Sequence, residues 1–301
     1  MSAPAPGSAE WSKLVTASKV AAIIGVSPWD SPRSMWAKMR GEVPSDDGTN
    51  AQAKSRGQYL EAGILAWWHD QHPEFTDHDA QRYVTRPDLP WAAATLDDFA
   101  WRYDPADDDA PIASPVERVI VEAKSSSEVD EWGQSGTDEI PTHVLTQVYW
   151  QLAMTPEAAR CYVALLGPFL RFEEYVVERD EAIQADLIAR CHRFYLSLSA
   201  DVPPPLDDHV ATFEVLRVQR GDIAKGVAAD VDPDFAAEWW TARVAEDAAV
   251  DAARLADSRL MEAVGNAQYV TAGGVRVARQ QNNRKRPIPV ATPAAIEGAA
   301  A

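Results

Sequence analysis

Cysteine is scarce in this sequence, with only Cys161 and Cys191 among 301 residues. A disulfide framework, a four-cysteine zinc site and an iron–sulfur cluster held by four thiolates all need more cysteines than the chain supplies. Both residues have apolar sequence neighbours, as free cysteines of a protein interior usually do. We therefore predict that they are buried apolar side chains without a chemical role.

Long apolar runs are also absent, and no stretch of about 18 apolar residues is available to cross a bilayer. The first residues, Met1 to Ser8, are rich in Ala and Pro and lack the basic and then apolar regions of a signal peptide. We therefore expect a cytoplasmic protein without a membrane partner. We also expect residues 1–10 to lack regular structure.

Positive charge is in deficit, because 28 Lys and Arg face 46 Asp and Glu for a net charge of −18. Such a balance argues against nucleic-acid binding by the molecule as a whole, since phosphates are neutralised by Lys and Arg. The distribution along the chain is uneven: residues 11–60 carry seven basic and four acidic residues, whereas 61–206 carry 10 basic and 27 acidic ones. The acidic part contains the candidate metal ligands, and bound cations would offset some of its charge.

The length predicts one domain of about 200 residues with a smaller appendage. Three consecutive prolines, Pro203 to Pro205, interrupt the chain, because proline cannot continue a helix. We therefore predict a core over residues 11–202 and an extension over 203–301. In the extension, the Ala-rich stretch 235–264 predicts a helix, and the residues around Gly273-Gly274 predict a β-hairpin before an unstructured tail.

The residue pattern of the core changes from helical to extended and back. It predicts helices near 19–24, from Ser31-Pro32 onward, and over 51–69, 141–154 and 180–198. It predicts short strands over 82–85, 91–96, 99–103, 117–123, 160–166 and 170–177. In the 51–69 helix, one buried stripe is expected from Tyr59, Leu60, Ile64, Leu65 and Trp68. Helices and strands in this order predict an α/β or α+β core.

The strand predicted over 117–123 ends in Glu122-Ala123-Lys124, after the apolar run Val119-Ile120-Val121. Successive residues of a strand point to opposite faces, so Glu122 and Lys124 share one face of the sheet. Phosphodiester hydrolysis needs divalent cations held by carboxylates, and a lysine beside them can approach the attacking water. A Glu-x-Lys sequence is common by itself, and a solvated strand end is the simpler interpretation of it alone.

Three further features favour a metal site at this strand end. Asp97 and Asp98 follow an apolar strand about 25 residues upstream, a spacing that lets two neighbouring strands bring Asp97 beside Glu122. Glu61 lies on the apolar stripe of its helix, where a carboxylate faces inward and needs a cation. Gln147 follows on a later helix, where its amide can hydrogen-bond a phosphate, the water or Lys124.

Other polar clusters carry weaker signals. His69, His72 and His78 are close in sequence, but they come without cysteine and without a consistent helical face, so we do not expect zinc there. Trp29 lies in the basic part of the chain with Arg33, and both are candidate DNA contacts. The cluster Arg284-Lys285-Arg286 is more simply a solubilising part of the tail.

Together these motifs resemble those of the YqaJ-type viral recombinase family, the lambda-type phage exonucleases of the PD-(D/E)xK nuclease superfamily. The resemblance runs from about Thr16 to Leu198. The matching segments are Thr16-Ala17-Ser18 with Ile24 to Trp29, Arg56 to Glu61, Thr95 to Asp98, Val121 to Lys124, and Pro141 to Thr155. The family's turn carries Pro and Gly where this chain has Leu96 and Asp98, so only the register selects Asp97 over Asp98.

The resemblance implies a restriction-endonuclease-like core, with a central mixed sheet flanked by helices and a mainly helical C-terminal extension. It implies catalysis by Glu61, Asp97, Glu122, Lys124 and Gln147 with two Mg²⁺ ions, or Mn²⁺ in their place. The implied metal ligands are Glu61, Asp97, Glu122 and the Ala123 carbonyl. The substrate contacts expected are Ser18, which the family places at the DNA 5′-phosphate, together with Lys19, Trp29, Arg33 and Arg56; the basic partner of Ser18 is not evident, and Lys13 and Lys19 are the candidates.

The activity implied is a Mg²⁺-dependent exonuclease that degrades double-stranded DNA ends, in the 5′-to-3′ direction, in phage-type recombination. The implied partners are duplex DNA ends, a single-strand annealing protein and two further copies in a ring-shaped trimer, in a bacterial or phage-infected cell. Two alternatives stay open. One is another nuclease of the superfamily, for repair or CRISPR adaptation, and the other is an inactive DNA-binding or assembly module with the same fold.

Overall fold

The computed structural model describes residue 4 and residues 8–44, 51–103, 115–282, 284 and 286–290. The chain divides into two compact units, Met1–Ile223 and Ala224–Ala301. The residues predicted to be unstructured at both ends lie largely outside the described residues, as does Lys285 of the basic cluster.

Five of the seven helices described in the first unit begin and end close to where the sequence predicts; the first, which starts within the residues expected to lack regular structure, and the last were not predicted. The seven are α1 (Ala9–Ser12), α2 (Ala17–Ile23), α3 (Pro32–Arg40), α4 (Ala51–Gln71), α5 (Thr142–Met154), α6 (Glu181–Ala200) and α7 (Val210–Arg220). Local chemistry accounts for α3: Ser31 and Ser34 form a reciprocal capping box at its start, and Gly41 ends it at a φ of 74°. Gly25, at a φ of 82°, similarly follows the end of α2.

The strands of the first unit also follow the predicted runs. They are β1 (Val15–Thr16), β2 (Asp77–His78), β3 (Arg82–Arg86), β4 (Leu89–Leu96), β5 (Asp98–Arg102), β6 (Glu117–Ser125), β7 (Arg160–Leu166) and β8 (Phe172–Glu178). The two-residue strands β1 and β2 were not predicted, because a pair of residues is too short to show a period. Between β7 and β8 the chain forms a 3-10 turn, Pro168–Leu170.

Two sheets share these strands. The larger has the order β2-β5-β6-β7-β8, and the smaller has the order β1-β4-β3. In the larger sheet β6 and β7 are parallel, and their connection contains α5; every other neighbouring pair is antiparallel. A parallel pair needs such a crossover, whereas antiparallel neighbours can be joined by a short turn. The central mixed sheet predicted from the sequence is therefore confirmed.

Helices cover both faces of the larger sheet. On one face Val119 and Val121 of β6 pack with Ile64 and Trp68 of α4. On the other face Ile120 packs in the main core, to which α2, α5 and α6 contribute. Cys161 and Cys191 are both buried in this core, as predicted, and both are free thiols.

The buried face of α4 is narrower than the predicted stripe. Ile64, Leu65 and Trp68 are buried, but Tyr59 is 86% exposed. With about 100° of rotation per residue, position 59 lies roughly 140° away from position 64, on the other side of the helix. The prediction was wrong for Tyr59 and correct for the residues from Ile64 onward.

Helix α7 was not predicted, and it extends the first unit beyond the three prolines. Val215 of α7 is buried against Ala37 and Val43, and the Thr212 hydroxyl lies 2.6 Å from the Ser31 hydroxyl. Helix α6 ends at Ala200, shortly before the prolines, and the chain then returns to pack on α3. The structural division therefore falls at residue 223, about 20 residues after the boundary that the prolines suggest.

The second unit contains the long helix α8 (Pro233–Val264) and an antiparallel sheet of β9 (Tyr269–Ala272), β10 (Val275–Arg279) and β11 (Ile288–Pro289). Gly273 and Gly274 connect β9 to β10 with positive φ angles, which is what a tight hairpin turn requires. None of the residues along α8 is buried. Across the described residues, no helix combines the length and apolar character needed to cross a membrane.

Candidate active site

The site is built around the carboxyl end of β6. The Glu122 side chain is only 1% exposed, although it is a carboxylate. The Lys124 ammonium and the Gln147 amide both donate to its Oε1 atom, the latter at 2.6 Å. Lys124 Nζ lies 3.3 Å from Oε1 of the Gln147 side chain. The strand period therefore places Glu122 and Lys124 on one face, and α5 brings Gln147 to both.

Gln151 is a site residue that sequence reasoning missed. Its amide nitrogen donates to Glu122 Oε2 at 2.6 Å, and the residue is fully buried. A signal for it was present, because residues four apart on a helix lie on the same face and Gln151 follows Gln147 by four. The two glutamines hold the two oxygens of one carboxylate.

Asp97 lies between β4 and β5 and faces the same cluster. Its Oδ2 atom accepts a hydrogen bond of 2.9 Å from the Ala123 backbone amide. Burial raises the pKa of Asp97 well above its ordinary value, and the neighbouring Glu122 carboxylate adds to this rise. The next residue, Asp98, pairs with Val121 on β6 and contacts His69 and His78 instead. The two neighbouring aspartates therefore lie in different surroundings.

Glu61 reaches the site from α4. It accepts a 2.5 Å hydrogen bond from the Gln81 side chain, whose residue has a left-handed φ of 55°. Burial raises the pKa of Glu61, and the Glu122 carboxylate raises it further. Gln81 is a second residue that sequence reasoning missed, and we see no sequence signal that would have found it.

The three carboxylates Glu61, Asp97 and Glu122 therefore act on one another through their charges. Carboxylates gathered in a partly buried place are destabilised when ionised unless a cation compensates them. Their oxygen atoms are the ligand type that Mg²⁺ and Mn²⁺ prefer. The residues present thus fit a divalent metal site with oxygen ligands.

Lys124 supplies positive charge at the same place. Burial alone lowers its pKa, but the Glu122 and Asp97 carboxylates outweigh this and raise the pKa above its ordinary value. The ammonium is therefore charged at neutral pH and remains a quarter exposed. It can orient an incoming water or phosphate while it contacts Glu122.

A groove of about 390 Å³ lies beside this cluster. It is lined by residues 25–28, Glu131 and the start of α5 at residues 140–143. Trp29, 59% exposed, packs edge-on against His143 with ring centroids 4.8 Å apart. Burial lowers the pKa of His143, and the nearby Lys124 charge lowers it further. The charge of Lys124 therefore acts on His143, which lines the groove.

The predicted substrate contacts fall into two groups. Ser18 is exposed in the first turn of α2, 3.3 Å from the Thr16 hydroxyl, and Arg56 is exposed on α4. Lys19 is buried, and its ammonium donates to the carbonyls of Trp11, Ser12 and Leu14 at 3.1, 3.0 and 2.7 Å. Arg33 is half-buried and donates to the Pro204 carbonyl at 2.9 Å.

The surroundings of Lys19 and Arg33 give both side chains structural partners. Three carbonyls use all three N–H donors of the Lys19 ammonium, and burial lowers its pKa to about 8. Its charge stabilises the turn before α2, a role that one sequence cannot distinguish from phosphate binding. We therefore leave Lys19 and Arg33 out of the proposed DNA surface and keep Ser18, Trp29 and Arg56 in it.

A mixed sheet with a parallel pair joined through a helix, and with Glu and Lys at the end of the central strand, is a restriction-endonuclease-like core. Residues 10–158 match the YqaJ-like viral recombinase domain. Residues 10–158 are therefore similar to that domain, which confirms the resemblance drawn from the motifs.

Two solved structures similar to this chain are of one enzyme. An alkaline exonuclease (LHK-Exo) from Laribacter hongkongensis is 17% identical, with a TM-score of 0.46 over 63% of this chain and 90% of that chain. The structure of LHK-Exo in complex with dAMP is 17% identical, with a TM-score of 0.47 over 64% of this chain and 91% of that chain. Comparison with curated proteins gives no match.

Proposed function

We propose that this protein is a divalent-metal-dependent exonuclease that degrades double-stranded DNA from its ends. The observation that carries the proposal is the convergence of Glu61, Asp97 and Glu122 with Lys124 in a YqaJ-like viral recombinase domain. The family resemblance supports DNA ends as the substrate and 5′-to-3′ digestion in phage-type recombination. Mg²⁺ is the metal proposed, in two ions, with Mn²⁺ as a substitute.

Asp97, Glu122, the Ala123 carbonyl and Glu61 would hold the metal. When bound, the metal supplies an activated water and offsets charge on the phosphate. Other residues of the chain orient the carboxylates and the attacking water. Gln147 and Gln151 orient the Glu122 carboxylate, and the Ala123 amide orients that of Asp97. Lys124 orients the attacking water and stabilises negative charge at the phosphate.

The groove next to Lys124 is the proposed entry for the DNA end. The exposed Trp29 offers an aromatic face on which a base can stack, and such stacking does not depend on sequence. Ser18 would contact the 5′-phosphate, as the family resemblance implies, and Arg56 would contact the backbone. The acidic residues elsewhere on the chain would then face away from DNA.

The proposal is tested with linear duplex DNA labelled at the 5′ or the 3′ end and supplied with Mg²⁺, Mn²⁺ or a chelator. We expect the wild type to release nucleotides from linear DNA with either metal, with the 5′ label lost first, and to leave closed circular DNA intact. Lys124→Ala and Glu122→Gln should each lower the rate by about 10²-fold or more.

Matched control variants are available on α8 and in the loop before it. Lys225 and Glu238 are both exposed and belong to the second unit, so Lys225→Ala and Glu238→Gln repeat the same chemical changes at residues that are not part of the site. They should digest DNA like the wild type. Undigested linear DNA with both metals, or undiminished digestion by Lys124→Ala and Glu122→Gln, would show that the assignment is wrong.

The test also separates the two alternatives. Cleavage of closed circular DNA would favour another nuclease of the superfamily, because an exonuclease needs an end. Binding of DNA ends without cleavage would favour an inactive binding or assembly module. The complete set of three carboxylates and a lysine, whose charges act on one another, argues for an active enzyme.

A further inference from the structure

A second cluster of metal-ligating side chains lies apart from the carboxylate site. It consists of His69 on α4, His78 on β2 and Asp98 at the start of β5, which three different elements bring together. His69 Nε2 lies 2.7 Å and His78 Nδ1 lies 3.0 Å from the same atom, Asp98 Oδ2. One ligand atom from each residue falls within 4.8 Å of the others.

The two spacings to Asp98 Oδ2 are close to those of a metal site with nitrogen and oxygen ligands, and the histidine nitrogens lie within 4.8 Å of each other. Tetrahedral Zn²⁺, bound at about 2.0–2.1 Å, keeps its ligand atoms roughly 3.3 Å apart. The two contacts to Asp98 Oδ2 need only a small expansion to admit an ion. The His69 and His78 rings are adjacent, with centroids 4.4 Å apart and planes inclined by 45°, so their nitrogens approach from different directions.

A backbone hydrogen bond orients the Asp98 carboxylate for this role. The Phe99 backbone amide donates to its other oxygen, Oδ1, at 2.8 Å. Hydrogen bonds to the free atoms of a ligand fix its orientation and raise metal affinity. Asp98 is 1% exposed, whereas the His78 side chain is 49% and that of His69 22% exposed. The cluster therefore has a buried anionic base and an open side through which an ion and a water can enter.

We propose that His69, His78 and Asp98 form a second metal site that takes a transition-metal dication of the Zn²⁺ class. Two imidazoles with one carboxylate match the His₂-carboxylate sets that hold Zn²⁺ with one position open to water. Imidazole ligands select such ions over Mg²⁺, which prefers oxygen ligands. This proposal departs from the sequence analysis, which did not expect zinc at these histidines, because their anionic partner comes from a strand 20 residues after His78.

The ion would connect α4 to the larger sheet. His69 is on the helix that carries Glu61, and Asp98 directly follows Asp97. A bound Zn²⁺ therefore fixes the positions from which these two carboxylates approach each other. The proposal itself concerns binding only, and it stands whether or not the carboxylate site cleaves DNA.

Zn²⁺ binding to the full chain is measured in competition with a chromophoric chelator, in millimolar Mg²⁺ to saturate the carboxylate site. We expect about one Zn²⁺ per chain to be held in the wild type. His69→Ala and His78→Ala should each weaken Zn²⁺ binding by more than about 10-fold. Zn²⁺ should also raise the Tm of the wild type, because an ion that binds only the folded state stabilises it.

His72 provides the matched control variant, because it lies on the same part of the chain but pairs with Glu174 at 2.6 Å. His72→Ala should keep Zn²⁺ binding, and so should Glu61→Gln. The half-exposed His78 can be replaced with little effect on folding. Histidine-ring NMR of the wild type gives a further readout, in which Zn²⁺ shifts the ring nitrogens of His69 and His78 but not of His72.

Two results would overturn the proposal. One is the absence of stoichiometric Zn²⁺ binding in Mg²⁺, and the other is binding that His69→Ala and His78→Ala leave unchanged. Either result identifies the cluster as two hydrogen bonds that neutralise a buried aspartate. Neither bears on nuclease activity, which is measured separately with Mg²⁺.

Discussion

Asp97 and Asp98 are neighbours in sequence with different environments in the structure. The carboxylate of Asp97 meets the Ala123 amide near Glu122, whereas that of Asp98 meets two histidines. Alternation along an extended chain sends adjacent side chains to opposite faces. The two residues therefore belong to two different proposed metal sites.

The first prediction distinguishes the roles of Asp97 and Asp98 by the metal that stabilises each variant, without an activity assay. Asp97→Asn should abolish the rise in Tm that Mg²⁺ produces and leave the rise produced by Zn²⁺, because it removes an oxygen ligand near Glu122. Asp98→Asn should abolish the rise in Tm that Zn²⁺ produces and leave the rise produced by Mg²⁺. Thermal unfolding of each variant with each metal gives the four measurements. If Asp98→Asn instead removes the response to Mg²⁺, the two residues have been assigned in the wrong order.

The second prediction concerns the raised pKa values of Asp97 and Glu61. Each raised pKa means that, above the ordinary values of 3.8 and 4.5, the folded chain holds protons that the unfolded chain has released. Ionisation of these two carboxyls therefore opposes folding. Their contribution to the free energy of unfolding falls as pH rises from their ordinary pKa values through the raised ones. In chelator, the Tm of the wild type should therefore fall relative to that of the double variant Asp97→Asn/Glu61→Gln as pH rises above the ordinary pKa values of these carboxyls.

Comparing the two chains cancels the titration of groups that do not interact with these two carboxylates, and Mg²⁺ should reverse the trend, because it binds the ionised carboxylates. A Tm difference that does not change with pH would show that these two carboxylates are not destabilised by burial and by Glu122.

At the scale of elements, α5 and α7 illustrate two ways in which a helix positions a site. Helix α5 forms the crossover between β6 and β7, and so its glutamines reach the end of β6 from the same face as Glu122. Helix α7 carries none of the proposed site residues and packs on α3. Its predicted effect is therefore on stability.

The third prediction tests the packing of α7. Val215→Ala removes two methyl groups from a buried position and should lower the free energy of unfolding of the first unit by about 1–3 kcal/mol. Val244→Ala on α8 is the matched control, because Val244 is 53% exposed, and it should change stability by no more than about 0.5 kcal/mol. Equal effects in denaturant titrations would show that α7 does not belong to the first unit.

At the scale of the whole molecule, all proposed catalytic and metal-binding residues lie in the first unit. The second unit contributes a long helix without buried residues and a small sheet. Since the first unit has its own core and contains the YqaJ-like domain, we expect it to fold alone.

The fourth prediction is that a chain of residues 1–223 unfolds cooperatively and digests linear DNA, whereas a chain of residues 1–202 is less stable. The shorter chain loses α7 and exposes the apolar surface of α3 that Val215 covers. Circular dichroism and the nuclease assay check both. A folded but inactive 1–223 chain would assign the second unit a part in the reaction.

The fifth prediction concerns assembly. The family resemblance implies a ring-shaped trimer and an annealing-protein partner, and a ring around DNA would keep successive cleavages on one substrate. Sedimentation velocity of the full chain should show a species of three times the chain mass, 33.0 kDa. A monomer at all concentrations would contradict the predicted trimer and the encirclement of DNA.

The sequence by itself determined the features that arise from neighbours along the chain. Ser31-Pro32 and Gly41 delimit α3, and the two-residue period of β6 puts Glu122 and Lys124 on one face. The order of the acidic motifs, with Gln147 after them, was enough to identify the family and its core. Local rules suffice for these features because each depends on residues a few positions apart.

The tertiary structure decided what depends on contacts between distant segments. It determined which aspartate faces Glu122, gave Gln151 and Gln81 their partners, and bonded Lys19 to three carbonyls. It also brought His69 and His78 to Asp98 and returned α7 to α3 after the prolines. No periodicity reports such contacts, because they are fixed by the register of β5 on β6 and by the packing of helices on the sheet.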